Sequence, residues 1–133
     1  GREKVLGEDH KKTLGTVHNV GSVYSELRNY EKALEYYERD WKWCEKTLGK
    51  THPSTLGAVY HIAGVHQVGF RDYGKAEELF QSALDGFEAQ LGKDHEDTKR
   101  CAMLLAVCLA QADETLKLRK ITDNYPHILQ EQP

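Results

Sequence analysis

The sequence has few of the features that mark the specialised classes of protein. It contains only three cysteines, and three thiols cannot all pair with one another, which argues against a disulfide framework. No apolar run approaches the ~18 residues of a membrane span, and the first residues, Gly1 to Lys4, lack the apolar core of a secretory signal. We therefore expect a soluble, cytoplasmic protein with buried thiols and no membrane association.

The chain also has little excess charge and none of the common catalytic motifs. Its formal net charge is −3, so it has no basic field that would hold the phosphates of a nucleic acid. It contains no Gly-rich phosphate loop, no Gly-x-Ser-x-Gly elbow and no His-Glu-x-x-His helix. We expect no enzymatic activity, no catalytic residue, no cofactor and no nucleic-acid partner.

What the sequence does have is a repeated phrase. Leu-Gly-x-x-His occurs at Leu6–His10, Leu48–His52 and Leu91–His95, at intervals of 42 and 43 residues. A period of this length is typical of a solenoid, in which each unit buries its apolar face only by stacking on its neighbours. The function of such a protein is expected to reside in the surface that the stack creates.

Between the repeated phrases, apolar residues recur at spacings of three and four, which predicts amphipathic helices. In the first unit one stripe comprises Leu14, Val17, Val20, Val23, Tyr24 and Leu27, and a second comprises Ala33, Leu34, Tyr37, Trp41 and Cys44. The short polar joint Arg28-Asn29-Tyr30 between them predicts an antiparallel pair. The matching joint of the second unit, Gly69 to Tyr73, is longer and would account for the change in period.

A third first-type helix is predicted over about 94–112, followed by a short helix that should stop by Pro126. The expected solenoid covers residues 1–123. It divides into a partial repeat (1–8), two repeats (9–50 and 51–93) and a final partial repeat (94–123), and residues 124–133 form a C-terminal tail.

The repeated phrase predicts the corner between units. Gly49 and Gly92 suit a left-handed residue after a helix end, Thr51 and Asp94 suit the cap of the next helix, and Pro53 suits its first turn. Consecutive corners lie one repeat apart, so their histidines are not gathered around a point. We therefore expect these histidines to be structural and predict no metal site.

Three segments, Gly21 to Tyr24, Asn29 to Tyr37 and Leu48 to Pro53, resemble a tetratricopeptide repeat, and the long period resembles that of the kinesin light chain type. The resemblance implies an all-α, right-handed α-solenoid of antiparallel helix pairs. It also implies small residues at the close crossings of paired helices, met by Gly21, Ala63 and Ala106. The first helix of each pair would line the concave wall, and the second would cover the outside.

The resemblance further implies a non-catalytic interaction module that binds a peptide or a helix of a partner protein in the concave groove. Its wall residues would be His18, Asn19, Ser22, Ser25, Tyr60, His61, Gly64, Gln67, Arg100, Met103, Leu104, Val107 and Gln111. A clamp for a C-terminal carboxylate, known in other tetratricopeptide domains, is matched only at Arg100. The ligand-holding asparagine of kinesin light chain repeats is kept at Asn19 but not at His61 or Leu104.

Two other functions remain open at this stage. The units could pack end to end with other copies as a structural spacer, forming a homodimer through the terminal helices or the tail. The chain could instead be a regulatory part of a larger protein. A zinc or pH-sensing role for His18 and His61 is the weaker interpretation, since no carboxylate or cysteine accompanies them in the pattern.

Overall fold

The computed structural model describes residues 19–128, and every element in this part of the chain is a helix. Helix α1 comprises the described residues 19–26, and the later helices are α2 (Tyr30–Leu48), α3 (Pro53–Gly64), α4 (Tyr73–Leu91), α5 (Glu96–Gln111) and α6 (Thr115–Asn124). A π-helical segment, Val65–Gly69, continues α3. His10, His18 and the first Leu-Gly-x-x-His phrase lie outside the described residues.

Each helix packs on the next one in the chain, so that α3 lies against α2 and α4, and α5 lies against α4 and α6. Short turns make consecutive helices antiparallel, and the pairs stack into a right-handed α-solenoid. The fold class predicted from the repeat is therefore confirmed. No helix within residues 19–128 is both long and apolar enough to span a bilayer.

Small residues allow the helices to approach closely, as the resemblance implies. Ala63 and Ala106 are fully buried, and a Cβ on Gly21 would lie 3.1 Å from the Tyr37 ring. The stripe predicted for α1 is wrong at its end, because Val23 and Leu27 are exposed. The counterpart of Val23 in the second unit is Val65, which is buried in a cluster with two α2 residues.

The corners between units depend on glycine and histidine. Gly49 and Gly92 have φ of 94° and 86° with ψ of 163°, a region that is essentially open to glycine alone. The predicted caps Thr51 and Asp94 are wrong, since the imidazole Nδ1 atoms of His52 and His95 accept the bonds from the backbone two residues on. Both histidines have an extended backbone conformation, which places the imidazole ring next to the backbone N–H groups that have no partner within the helix at its start.

The extra residue of the second unit lies in the helix and not in the joint, which corrects the sequence-based prediction. The turn that follows each first helix places its left-handed residue at equivalent positions, Arg28, Arg71 and Asp113. The backbone bond that closes this turn spans five residues in units one and three, and six residues, from Asp72 to His66, in unit two. The π-helical segment therefore absorbs the insertion.

The third unit ends differently from the other two. Helix α6 has ten residues, where α2 and α4 each have nineteen. It stops at Asn124, two residues before Pro126, as the proline predicts. The following Tyr125 is buried in the main hydrophobic cluster, and its hydroxyl donates a hydrogen bond to Glu88. The start of the predicted tail is thus part of the packed structure.

Candidate peptide-binding groove

On α3, which the sequence predicts to line the groove, two glycines share a face. Gly57 and Gly64 are seven residues apart, two turns of a helix, so they lie nearly above one another. A Cβ added to either glycine would meet no atom within 4 Å, so open space lies next to the backbone at both positions. The α3 wall can therefore accept a ligand group close to the main chain.

Aromatic and imidazole rings join adjacent units beside these glycines. The His61 ring of α3 stacks on the Tyr37 ring of α2, with centroids 5.2 Å apart and planes 18° apart, and Tyr60 meets His61 edge to face. Tyr37 also forms a hydrogen bond of 3.0 Å with Ser22 of α1. These contacts link three consecutive helices, α1, α2 and α3.

A cleft of about 270 Å³ opens between α3 and α5. We call it the groove cleft, and its lining residues are Pro53, Gly57, Tyr60, His61, Phe87, Asp97 and Arg100. Arg100 is exposed and forms an ion pair with Asp97 at 3.6 Å. Burial raises the pKa of the Tyr60 hydroxyl, so this group stays protonated as a hydrogen-bond donor at neutral pH. The groove cleft thus combines aromatic surface with a donor and an exposed charge pair.

Farther along α3, the π-helical segment carries a polar link to α5. Gln67 is only 4% exposed, and its side-chain amide donates a 2.8 Å hydrogen bond to the Gln111 amide oxygen. The neighbouring His66 has a lowered pKa, because burial disfavours its charged form. Both amides were predicted to line the wall, and the structure brings them together as partners of one another.

The structure gives each predicted wall residue a distinct environment. Asn19, Arg100 and Gln111 are exposed, whereas Leu104 is partly buried and packs against the main core cluster. The half-buried members are Ser22, Ser25, Tyr60, His61, Gly64, Met103 and Val107. Tyr60, His61 and Arg100 meet at the groove cleft. Arg100 and Met103 also line a second cleft at the end of the chain, described below.

Sequence reasoning missed four residues of the groove cleft: Pro53, Gly57, Phe87 and Asp97. Phe87 belongs to α4, a second helix, and the resemblance assigns second helices to the outer surface, so the pattern gave no signal for it. Gly57 could have been found, because its spacing of seven residues from Gly64 places both on one helical face.

The three thiols of the chain are buried and unpaired. Burial raises the pKa of the Cys101 thiol to about 12, and the negative charge of Asp85 adds to this shift. Burial likewise raises the pKa of Cys44 and of Cys108 to about 11 each. Since the thiolate is the reactive form, these thiols are inert in the folded protein at neutral pH. Within the described part of the chain, no group of three or more His, Cys, Asp or Glu side chains is placed to hold a metal ion.

These observations define a class of protein, a helical-repeat solenoid built from stacked antiparallel helix pairs. Residues 13–54 match the family model of the tetratricopeptide repeat. No protein of curated function matches the chain in sequence.

Solved structures share the fold. BtubC (BKLC) from P. vanneervenii superposes with a TM-score of 0.77 at 17% identity, over 90% of this chain and 47% of that one. The nearly identical tetratricopeptide-like repeats of a kinesin light chain-type protein from Podosopora anserina give 0.76 at 19% identity, over 90% and 56%. A single-substitution variant of the latter gives 0.77 at 19% identity, over 92% and 57%.

The chain therefore contains a tetratricopeptide repeat, and its stacked units have the fold of kinesin light chain-like repeats. It spans about half the length of the solved structures that it matches. Proteins built from this repeat are in general protein-interaction modules and are typically non-catalytic. The general assignment to protein-interaction modules agrees with the expectation from sequence.

Proposed function

We propose that this chain is a non-catalytic adaptor or scaffold module of the cytoplasm that binds a peptide or helical segment of a partner protein in its concave groove. The observation that carries the proposal is the groove cleft, where Tyr60, His61 and Phe87 surround open space beside the bare backbone of Gly57. We propose no cofactor, nucleic acid or membrane as a ligand.

The chemistry of the groove cleft favours a peptide with a bulky apolar side chain next to a polar or charged group. Aromatic rings offer large rigid contact surfaces with little loss of conformational entropy on binding. The absence of a side chain at Gly57 leaves room for that apolar group. Arg100 and Asp97 stand at the rim, where an exposed ion pair contributes little stability and is easily rearranged by a charged ligand.

The proposal is tested by selecting binders from a random peptide library displayed on phage and measuring the affinity of the selected peptide by calorimetry. Gly57→Leu fills the groove cleft, and Arg100→Ala removes the cation at its rim. We expect the affinity to fall by about tenfold or more with Gly57→Leu and by a few-fold with Arg100→Ala.

The matched control is Lys42→Ala, which changes an exposed lysine of α2 on the outer layer of helices. It should leave the affinity unchanged, and circular dichroism should find all three variants folded. Equal affinities in wild type and in both groove variants would move peptide binding away from the concave wall.

A structural spacer that packs end to end with other copies is the second candidate. It is favoured by the exposed apolar side chains of Val23 on α1 and Leu27 just after it, which are 52% and 69% accessible. Light scattering separates the two functions, because a spacer forms concentration-dependent dimers and an adaptor binds its peptide as a monomer.

A further inference from the structure

In the third unit the second helix is too short to fill the space that α2 and α4 fill in the other two units. Helix α6 is nine residues shorter than α2 and α4, and the region over the first half of α5 is left open. A cleft of about 640 Å³ lies there. We call it the C-terminal cleft, and the residues used in the argument are Lys93, Lys99, Arg100, Met103, Tyr125 and Ile128.

The second unit shows how a complete pair closes at the same place. Leu56 of α3 packs so tightly against Gly86 of α4 that a Cβ on Gly86 would lie 2.6 Å from the leucine Cδ2. By the repeat, Lys99 stands at the position of Leu56, and Ile128 at that of Gly86. A lysine and an isoleucine cannot reproduce this contact, so the third pair stays open.

The C-terminal cleft has an apolar floor and a positively charged rim. Met103, Tyr125 and Ile128 provide the apolar surface. Lys93 and Lys99 stand on the rim with the acid Asp94, and the third cation there, Arg100, is paired with Asp97. Within residues 19–128 neither Lys93 nor Lys99 forms an ion pair, and Lys93 lies over the Tyr125 ring at 5.1 Å. The volume is within the usual range of ligand sites, roughly 300–1,000 Å³.

We propose that the C-terminal cleft binds an acidic, amphipathic peptide segment of a partner protein, which takes the place of the absent second half of the unit-three helix. Aliphatic side chains of that segment pack on Met103 and Ile128, and its carboxylates pair with Lys93 and Lys99. Charge complementarity selects an acidic partner, because a basic segment would bring like charges together on the rim. Of its lining residues this site shares Arg100 alone with the groove cleft, and the proposal does not depend on the function proposed for the groove cleft.

The test uses a fluorescein-labelled peptide of about twelve residues, with glutamates on one helical face and leucines on the other, and an otherwise identical peptide with lysine for each glutamate. Fluorescence anisotropy on the full chain should detect binding of the acidic peptide only. Lys99→Glu should weaken it by about tenfold or more, and high salt should weaken it in the wild type.

The matched control is Lys42→Glu, the same charge reversal on an exposed lysine of α2, which should bind as the wild type does. Gly57→Leu should also bind normally, which separates this site from the groove. Equal binding of the two peptides, or equal affinities for Lys99→Glu and Lys42→Glu, would overturn the proposal.

Two further outcomes would assign the C-terminal cleft to another occupant and so also overturn the proposal. One is binding of the acidic peptide that appears only after truncation at Ile128, since residues 129–133 would then be the occupant. The other is a concentration-dependent dimer of the wild type that Lys99→Glu dissociates, since a second copy would then be the occupant. Circular dichroism establishes that each variant is folded.

Discussion

Thr55 and Thr98 stand at the same position in successive units, two residues into the first helix after the corner. The Thr55 hydroxyl donates a 2.7 Å hydrogen bond to the carbonyl of Gly49 and thereby ties the helix start to the preceding corner. The Thr98 hydroxyl is buried and has no hydrogen-bond partner within the described residues. Two identical side chains thus have opposite effects on stability, because burying a polar group is costly unless it is hydrogen-bonded.

Replacing these threonines by the isosteric valine should separate the two effects. Thr55→Val leaves the Gly49 carbonyl without its donor and should lower the free energy of unfolding by about 1–2 kcal/mol. Thr98→Val removes an unpaired hydroxyl and should leave stability unchanged or raise it. Urea unfolding followed by circular dichroism measures both, and equal losses in the two variants would contradict this account.

Residue identity was predictable from sequence where size alone decides the packing. Gly21, Ala63 and Ala106 were expected at close helix crossings, and all three are buried. The hydrogen bond of Thr55 was not predictable, because it depends on where the carbonyl of Gly49 points after a corner with unusual backbone angles. The same limit applies to Gln67 and Gln111, which were both placed on the wall but not as partners.

At the scale of the helix, the histidine of each corner determines where the next first helix begins. His52 caps α3 with its Nδ1 atom at 3.0 Å from the backbone nitrogen of Ser54, and Pro53 occupies the first helical position without needing a donor. Sequence reasoning chose Thr51 over His52, because threonine is a common N-cap and histidine is not. The repeated phrase itself carried the missing signal, since histidine recurs in all three copies whereas the residue before it varies between aspartate and threonine.

Substitution of the capping histidine gives an element-scale test. His52→Ala should lower the free energy of unfolding by about 1 kcal/mol, because the Ser54 amide at the start of α3 loses its acceptor. His52→Asn should restore most of that loss, because asparagine accepts the same bond. Thermal unfolding of both variants checks the prediction, and equal melting temperatures for alanine and asparagine would argue that the imidazole acts through packing.

The position of the inserted residue was another element-scale property that the sequence did not reveal. Any site between Ala63 and Arg71 satisfies the change in period, and loops usually accept insertions more readily than helices do. Here the backbone bond that closes the turn spans six residues instead of five, and it overlaps the π-helical segment Val65–Gly69 that accommodates the added residue. Gly69 makes the helical solution possible, because a Cβ there would collide with the Tyr30 ring.

At the scale of the whole molecule, the core that residues 19–128 form is unevenly distributed. The main cluster joins α3, α4 and α5 with Ile121 and Tyr125, whereas a smaller cluster of Ala33, Tyr37, Ile62 and Val65 joins the first unit to the second. Solenoid units contact only their neighbours, so their stability varies along the chain. We infer that the first unit opens more readily than the third.

The buried thiols report this difference directly. Cys44 lies in α2, and Cys101 lies in α5 within the main cluster. Both thiols are protonated in the folded state, since burial raises their pKa, and an alkylating reagent reaches the reactive thiolate only after local opening. In mild urea, Cys44 should react at least about tenfold faster than Cys101, as measured by mass spectrometry of peptides.

Simultaneous modification of Cys44 and Cys101 at all urea concentrations would contradict this prediction and show a single cooperative unit. Cys108 provides an internal control, because it shares α5 with Cys101 and should follow that residue. The general architecture was predictable from the repeat, but this difference in stability was not, since it depends on which apolar side chains meet.

The wide helical turn at Val65–Gly69 gives the fold a way to tolerate a change in repeat length. Because the extra residue lies within a helix, the turn that follows keeps its conformation and the next helix keeps its packing position. Neighbouring repeats of unequal length can thus stack through the same kind of interface. Gene duplication can extend such an array even where the copies differ in their number of residues.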